Sequence, residues 1–166
     1  MTVLDGVREE ECEPGMWPEG LEKQPLEVAN AEFSRNLGKL GLDLKKEGLA
    51  PPYRMRVRGF GDQAVGLGLE VEGATPEEEQ RMRRLRDRLA DACGFRAPNH
   101  EVYEFHVTVL YWLKHVLDSE YTPALEETLS KLLPDVGIEF ELGAVEFCTF
   151  QDMCAYPRVF YLGEHP

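Results

Sequence analysis

Hydrophobic positions recur along this chain with two different periods, and each change of period marks a new element. Leu26, Phe33, Leu37, Leu40 and Leu44 fall near helical spacing, and Gly48 with Pro51 and Pro52 ends the helix they predict. Tyr53, Met55 and Val57 then alternate with Arg54, Arg56 and Arg58, which predicts a half-buried strand with one basic face. Gly59 to Asp62 reads as a turn into a second strand over about 64–71. Thr75-Pro76-Glu77-Glu78 is a helix start, with Thr as the cap, Pro in the first turn and acids at the positive end of the dipole. Leu85, Leu89 and Ala92 supply that helix with its apolar stripe, and Gly94 stops it.

Past a polar stretch at 95–102, residues 105–113 are rich in aromatic and β-branched side chains and predict a strand. A helix is expected over about 122–133, a hairpin of 138–142 with 145–150 around Gly143, and a last strand at 159–162. The first 25 residues, apart from Thr2-Val3-Leu4, read as loop because Gly6, Pro14, Gly15, Pro18, Gly20 and Pro25 punctuate them. The order repeats. Thr2-Val3-Leu4 is followed by loop, helix, strand, turn and strand, and so is Thr108-Val109-Leu110. This predicts an α+β fold duplicated in two pseudo-symmetric lobes. Lobe one covers about 1–72, the second about 104–166, and a helix over 75–93 links them.

A length of 166 residues fits one such two-lobed domain, 1–166. Hydrophobic residues at 43% and charged residues at 30% are ordinary globular values. No apolar run approaches the roughly 20 residues of a membrane helix, and Met1 to Asp5 shows no leader pattern, so an intracellular, cytoplasmic protein without membrane partners is expected. Cys12, Cys93, Cys148 and Cys154 form no C-x-x-C pair and read as reduced thiols. Eighteen Lys and Arg against 31 Asp and Glu leave a net charge of −13, which opposes a long nucleic-acid groove but leaves room for a local anion site.

The candidate chemistry lies in Phe105-His106-Val107-Thr108-Val109. Residues two apart on a strand share a face, so His106 and Thr108 project together. An imidazole can give or take a proton near neutral pH, and a hydroxyl beside it can hold a phosphate oxygen. By itself an H-x-T triplet on a strand is more often a structural pairing than a site. The repeat adds weight, because Thr2 corresponds to Thr108 and a partner for His106 is called for one position before Met1.

Several blocks extend the pattern: Met1 to Val7, Tyr53 to Gly59, Leu85-Arg86-Asp87, Tyr103 to Val109, and Phe140 to Gly143 through Cys148 to Met153. With these, the chain resembles the two-histidine (2H) phosphoesterase superfamily, the LigT-like, 2′,5′ RNA ligase-like and cyclic phosphodiesterase proteins, and within it a subfamily of unassigned function. The resemblance implies antiparallel sheets of two lobes facing a central cleft, with one H-x-T strand from each. It implies metal-independent hydrolysis of a small cyclic phosphodiester or RNA-end phosphate, without cofactor. One histidine would be the base and another the acid, and the hydroxyls would bind phosphate. Carried over, His106 and Thr108 form the second motif and Thr2 is the hydroxyl of the first. The first histidine is absent, as is the family's segment before it. The expectation is a chain begun at an internal methionine with the histidine just upstream, and the alternative is a member that has lost half its acid–base pair. Either way an incomplete first lobe and a weak catalyst are expected. The alternative is a non-catalytic protein that binds phosphate or a nucleotide on the same fold.

Arg54, Arg56 and Arg58 share a face and are candidates to line the cleft for phosphate, a solvated sheet face being the alternative. Tyr103 and Tyr111 are expected on the face away from His106 and Thr108, in packing roles. His100 and His115 are expected at the surface without a metal-ligand set, and His165 in the tail. Gly59-Phe60-Gly61 leads into a strand, not a helix, so it is no dinucleotide fingerprint. Arg81 to Arg88 reads as the solvated side of a helix.

Overall fold

Helix α1, Leu26–Asp43, buries Ala29, Phe33, Leu37 and Leu40, the stripe that its spacing predicts. The computed structural model describes residues 1–8, 10, 17, 24–63, 66–112, 127–129, 131, 137–151 and 155–163. Helix α2, Pro76–Cys93, starts where expected, and the Thr75 hydroxyl accepts a hydrogen bond from the Glu78 N–H at 3.3 Å. It buries Met82, Leu85, Leu89 and Ala90, together with Arg86.

The strands are β1 (Tyr53–Gln63), β2 (Gly66–Gly73), β3 (His106–Tyr111), β4 (Glu139–Leu142), β5 (Glu146–Cys148) and β6 (Arg158–Tyr161). Four form one sheet in the order β3-β2-β1-β4, and β5 and β6 pair separately. The β1–β2 and β2–β3 pairings are antiparallel, as is β5–β6, so the fold is α+β. Among the described residues no helix is long and apolar enough to cross a membrane.

Three expectations change. The turn expected at Gly59 to Asp62 is strand, because those residues pair with β2 and β1 runs on to Gln63. Glycine punctuates a chain only when no partner strand takes up its backbone groups, and here Gly61 lies opposite Gly68. The hairpin expected around Gly143 is not one: β4 joins β1, while β5 pairs with β6. Thr2-Val3-Leu4 lies in a segment, 1–8, without strand structure. Of the helix expected over 122–133, residues 127–129 and 131 are described and are helical.

The chain divides into two compact units, and neither is continuous in sequence. One is Met1–Val3, Arg54–Glu79 and Glu104–Glu141; the other is Leu4–Tyr53, Gln80–Tyr103 and Leu142–Pro166. The boundary at Tyr103/Glu104 falls where the second lobe was expected to begin, and the one nearest residue 72 falls between Glu79 and Gln80, inside α2. In the first unit Met55, Leu67, Val71 and Phe105 are buried. In the second, Phe33 packs on Phe95 with ring centres 6.1 Å apart.

Candidate functional site

Strand register places the candidate residues. His106 stands opposite Glu70 and Thr108 opposite Gly68, two residues apart on β2, so all four share one face. On β1 the partners of Glu70 and Gly68 are Gly59 and Gly61. The face beside Thr108 is thus floored by glycines, with His106 and Glu70 at its border. Val107 and Leu69 pair on the opposite side.

The ring of His106 has a defined tautomer. Its Nδ1 lies 3.0 Å from the Glu104 carbonyl oxygen, which can only accept, so Nδ1–H donates and Nε2 is the basic nitrogen of the neutral ring. The carboxylate of the same Glu104 meets Arg58 at 3.3 Å, and Arg58 also holds Glu70 at 2.9 Å. Arg58 therefore joins the two acidic residues that flank His106, one before it in the chain and one across the ladder. These bonds, the Glu70 one foremost, raise the guanidinium pKa above its ordinary value.

The other two arginines are paired in the same way. Arg56 meets its cross-strand partner Glu72 at 2.7 Å, and Arg54 meets Glu139 at 2.8 Å. The strand with a basic face is present, yet its charge is matched by glutamates from β2, β4 and the residue before Phe105. The three arginines expected to bind phosphate are arranged as an exposed ion-paired ladder, in which each bridge contributes modestly.

The expectation for Tyr111 is overturned. An irregularity in the β2–β3 register passes from Gly68↔Thr108 to Leu67↔Leu110 and leaves Val109 as an extra residue. Tyr111 then pairs with Gly66, two residues from Gly68, so it shares the face of Thr108 and His106. Plain alternation had put it on the other side. Only the bulge moves it, and nothing in the β3 sequence announces a bulge there.

Thr2 is exposed in the 1–8 segment and belongs to the same compact unit as His106 and Thr108. Tyr103 is buried under the Arg86 guanidinium, 3.8 Å from the ring centre, in the packing role expected for it. Arg86 is therefore a core residue, contrary to the reading of 81–88 as a solvated face. His100 is buried too, not at the surface, with Nε2 at 2.9 Å from Asp87 Oδ1. His115 and His165 lie outside the described residues. Asp87, His100 and Glu101 offer ligand atoms within 4.8 Å of one another. Arg96, at 3.8 Å from Asp87 and 3.9 Å from Glu101, already supplies positive charge there, so the cluster is an ion-pair network. Burial pushes the Cys93 thiol up to about 12, which leaves it a packing residue rather than a nucleophile.

The chain resembles a solved structure, that of a conserved protein of unknown function from Agrobacterium tumefaciens. The TM-score is 0.68 and the identity 26%, over 96% of this chain and 66% of that one. This chain thus spans just under two thirds of that relative's length. No family model matches the chain, and no curated protein matches it.

Proposed function

We propose that the protein acts on a small phosphoester, a 2′,3′-cyclic phosphate or an RNA-end phosphate, by metal-independent proton transfer at His106. One observation carries this reading: His106 and Thr108 stand side by side on a polar sheet face over a glycine floor, with the imidazole tautomer fixed by Glu104. In the proposed step Nε2 takes a proton from water as its oxygen bonds to phosphorus. The ester P–O bond breaks, and the departing oxygen takes a proton from a second acid or from solvent. The Thr108 hydroxyl donates to a non-bridging oxygen and holds the group in line. Arg58 acts through His106 as a positioning residue.

Turnover of 2′,3′-cyclic AMP in the presence of a chelator is the test. His106→Ala should lower it by about 10²–10⁴-fold, the usual cost of losing a general acid or base. Circular dichroism should show the fold intact. Equal turnover by the two proteins would remove the mechanism. A second reading, a protein that binds phosphate or a nucleotide without cleaving it, has its own support: among the described residues His106 is the one histidine on this face. It predicts saturable binding with no product at any enzyme concentration.

A further inference from the structure

We propose that Glu70 is a specificity residue of the His106 and Thr108 face, whose carboxylate admits phosphoesters with one negative charge and disfavours those with two. This rests on the phosphoester reading above and deepens it, because it names the charge state of the ester that binds. Three observations carry it.

The first is where the carboxylate lies. Glu70 stands opposite His106 in the β2–β3 ladder, while Gly61 and Gly68 lie in the row of Thr108. A Cβ added to Gly61 would meet the Glu70 side chain, with Cγ at 3.0 Å and Oε1 at 3.1 Å. The side chain therefore leaves its own row and leans along the sheet over Gly61, into the row that holds Thr108. Neighbouring strands are about 4.8 Å apart, so Gly61 and Thr108 stand about 10 Å apart with Gly68 between them. A phosphate held by the Thr108 hydroxyl over that floor has the Glu70 carboxylate as its neighbour.

The second is which oxygen is engaged. Arg58 reaches Glu70 through Oε2, from Nε at 3.1 Å and from Nη2 at 2.9 Å. It also donates to Glu104, which precedes His106 in the chain, whereas Thr108 follows it. The cation is thus drawn toward Glu104, away from Thr108, and Oε1 is the oxygen turned to the glycine floor.

The third is the balance of charge. Arg54 and Arg56 are each matched by one glutamate, Glu139 and Glu72. Arg58 is shared between two, Glu70 and Glu104. These pairs leave one more negative charge than positive beside His106 while its imidazole is neutral. A second negative charge on the ligand meets that surplus at short range, where screening by solvent is incomplete. Hydrolysis of a monoanionic cyclic ester yields a dianionic monoester, so the same carboxylate favours departure of the product.

Calorimetric titration of the whole protein at about pH 8, where a phosphomonoester with a second pKa of about 6 is a dianion, tests this. The probes are 3′-deoxyadenosine 2′-monophosphate and its methyl ester, which differ by one charge and have no hydroxyl that could close on the phosphate. The wild type should bind the methyl ester about 3- to 10-fold more tightly, the effect of one charge about 7 Å away in a partly aqueous setting. Glu70→Gln should bring that ratio near one, chiefly by tightening the monoester. Glu139→Gln, which removes the same charge from the opposite edge of the sheet, should keep the ratio. A wild-type ratio of one, or a preference for the monoester, overturns the inference, and so does a ratio that survives in Glu70→Gln. An equal fall in Glu139→Gln also overturns it, because the preference would then belong to the net charge of the whole chain. Failure of the wild type to bind either probe overturns this inference together with the phosphoester reading, whereas binding that ignores the charge overturns this one alone.

Discussion

The Arg86 guanidinium lies 3.8 Å from the centre of the Tyr103 ring, and both side chains are buried. Burial lowers the pKa of Arg86, opposed by the Tyr103 and Asp5 charges. A desolvated cation on an aromatic face contributes up to about 2 kcal/mol, and the aliphatic stem fills core volume besides. Arg86→Ala should therefore cost about 2–4 kcal/mol in urea denaturation, as truncation of a large core side chain does. Arg86→Met, which keeps the stem, should cost less. A cost for Arg86→Ala below about 0.5 kcal/mol, the surface range, would show that the contact is not part of the core.

Alkaline pH should destabilise the protein. Burial pushes Tyr53 and Tyr103 up to about 12 and Cys93 likewise to about 12. Each of these groups is neutral when protonated, and its folded pKa lies above the unfolded value. The stability it contributes is complete below the unfolded pKa, near 9 for the thiol and 10 for the phenols, and is lost as pH rises toward 12. Melting temperatures should be flat up to about pH 9 and fall beyond it. Cys93→Ala should move the onset of that fall to higher pH.

The buried His100 depends on Asp87 for the partner of its Nε2. Asp87→Leu leaves that nitrogen buried and unpaired, which costs about 1–3 kcal/mol. Asp87→Asn, which can still bond the ring, should cost less. Chemical denaturation of the two variants separates a specific hydrogen bond from general charge effects, because both remove the same charge from Arg96.

Gly66→Ala should weaken the β2–β3 pairing. The added Cβ would lie 2.1 Å from the Leu110 carbonyl oxygen, which is backbone and has to shift. Overpacking of this kind costs about 1–3 kcal/mol. The melting temperature should fall accordingly. A variant as stable as the wild type would show that the two strands approach less closely than this register requires.

The two long helices were legible in the sequence because their apolar stripes and caps are local: Thr75 and the acids after it mark the start of α2 whatever surrounds it. The same holds for the alternation of Tyr53 to Arg58 and for the shared face of His106 and Thr108. Features set by partners distant in the chain were not legible. Gly59 and Gly61 look like turn residues until Glu70 and Gly68 are known to lie beside them. The three arginines look like anion ligands until Glu72, Glu70, Glu104 and Glu139 are placed against them. Likewise Arg86 belongs by sequence to a charged run, and its burial follows only from the aromatic ring that covers it.

The order β3-β2-β1-β4 has a consequence for how the chain is made. The hairpin of β1 and β2 emerges from the ribosome first, with both of its edges bare. One edge waits for β3 and the other for β4, and the Arg54–Glu139 pair closes across 85 residues. At ordinary synthesis rates the nascent hairpin is open for some seconds. Arg56 and Arg58 already meet Glu72 and Glu70 within the hairpin, whereas Arg54 waits for Glu139, and charged side chains of that sort keep a bare edge from recruiting another chain. The ladder that looks redundant in the finished protein thus has its use before the sheet is complete.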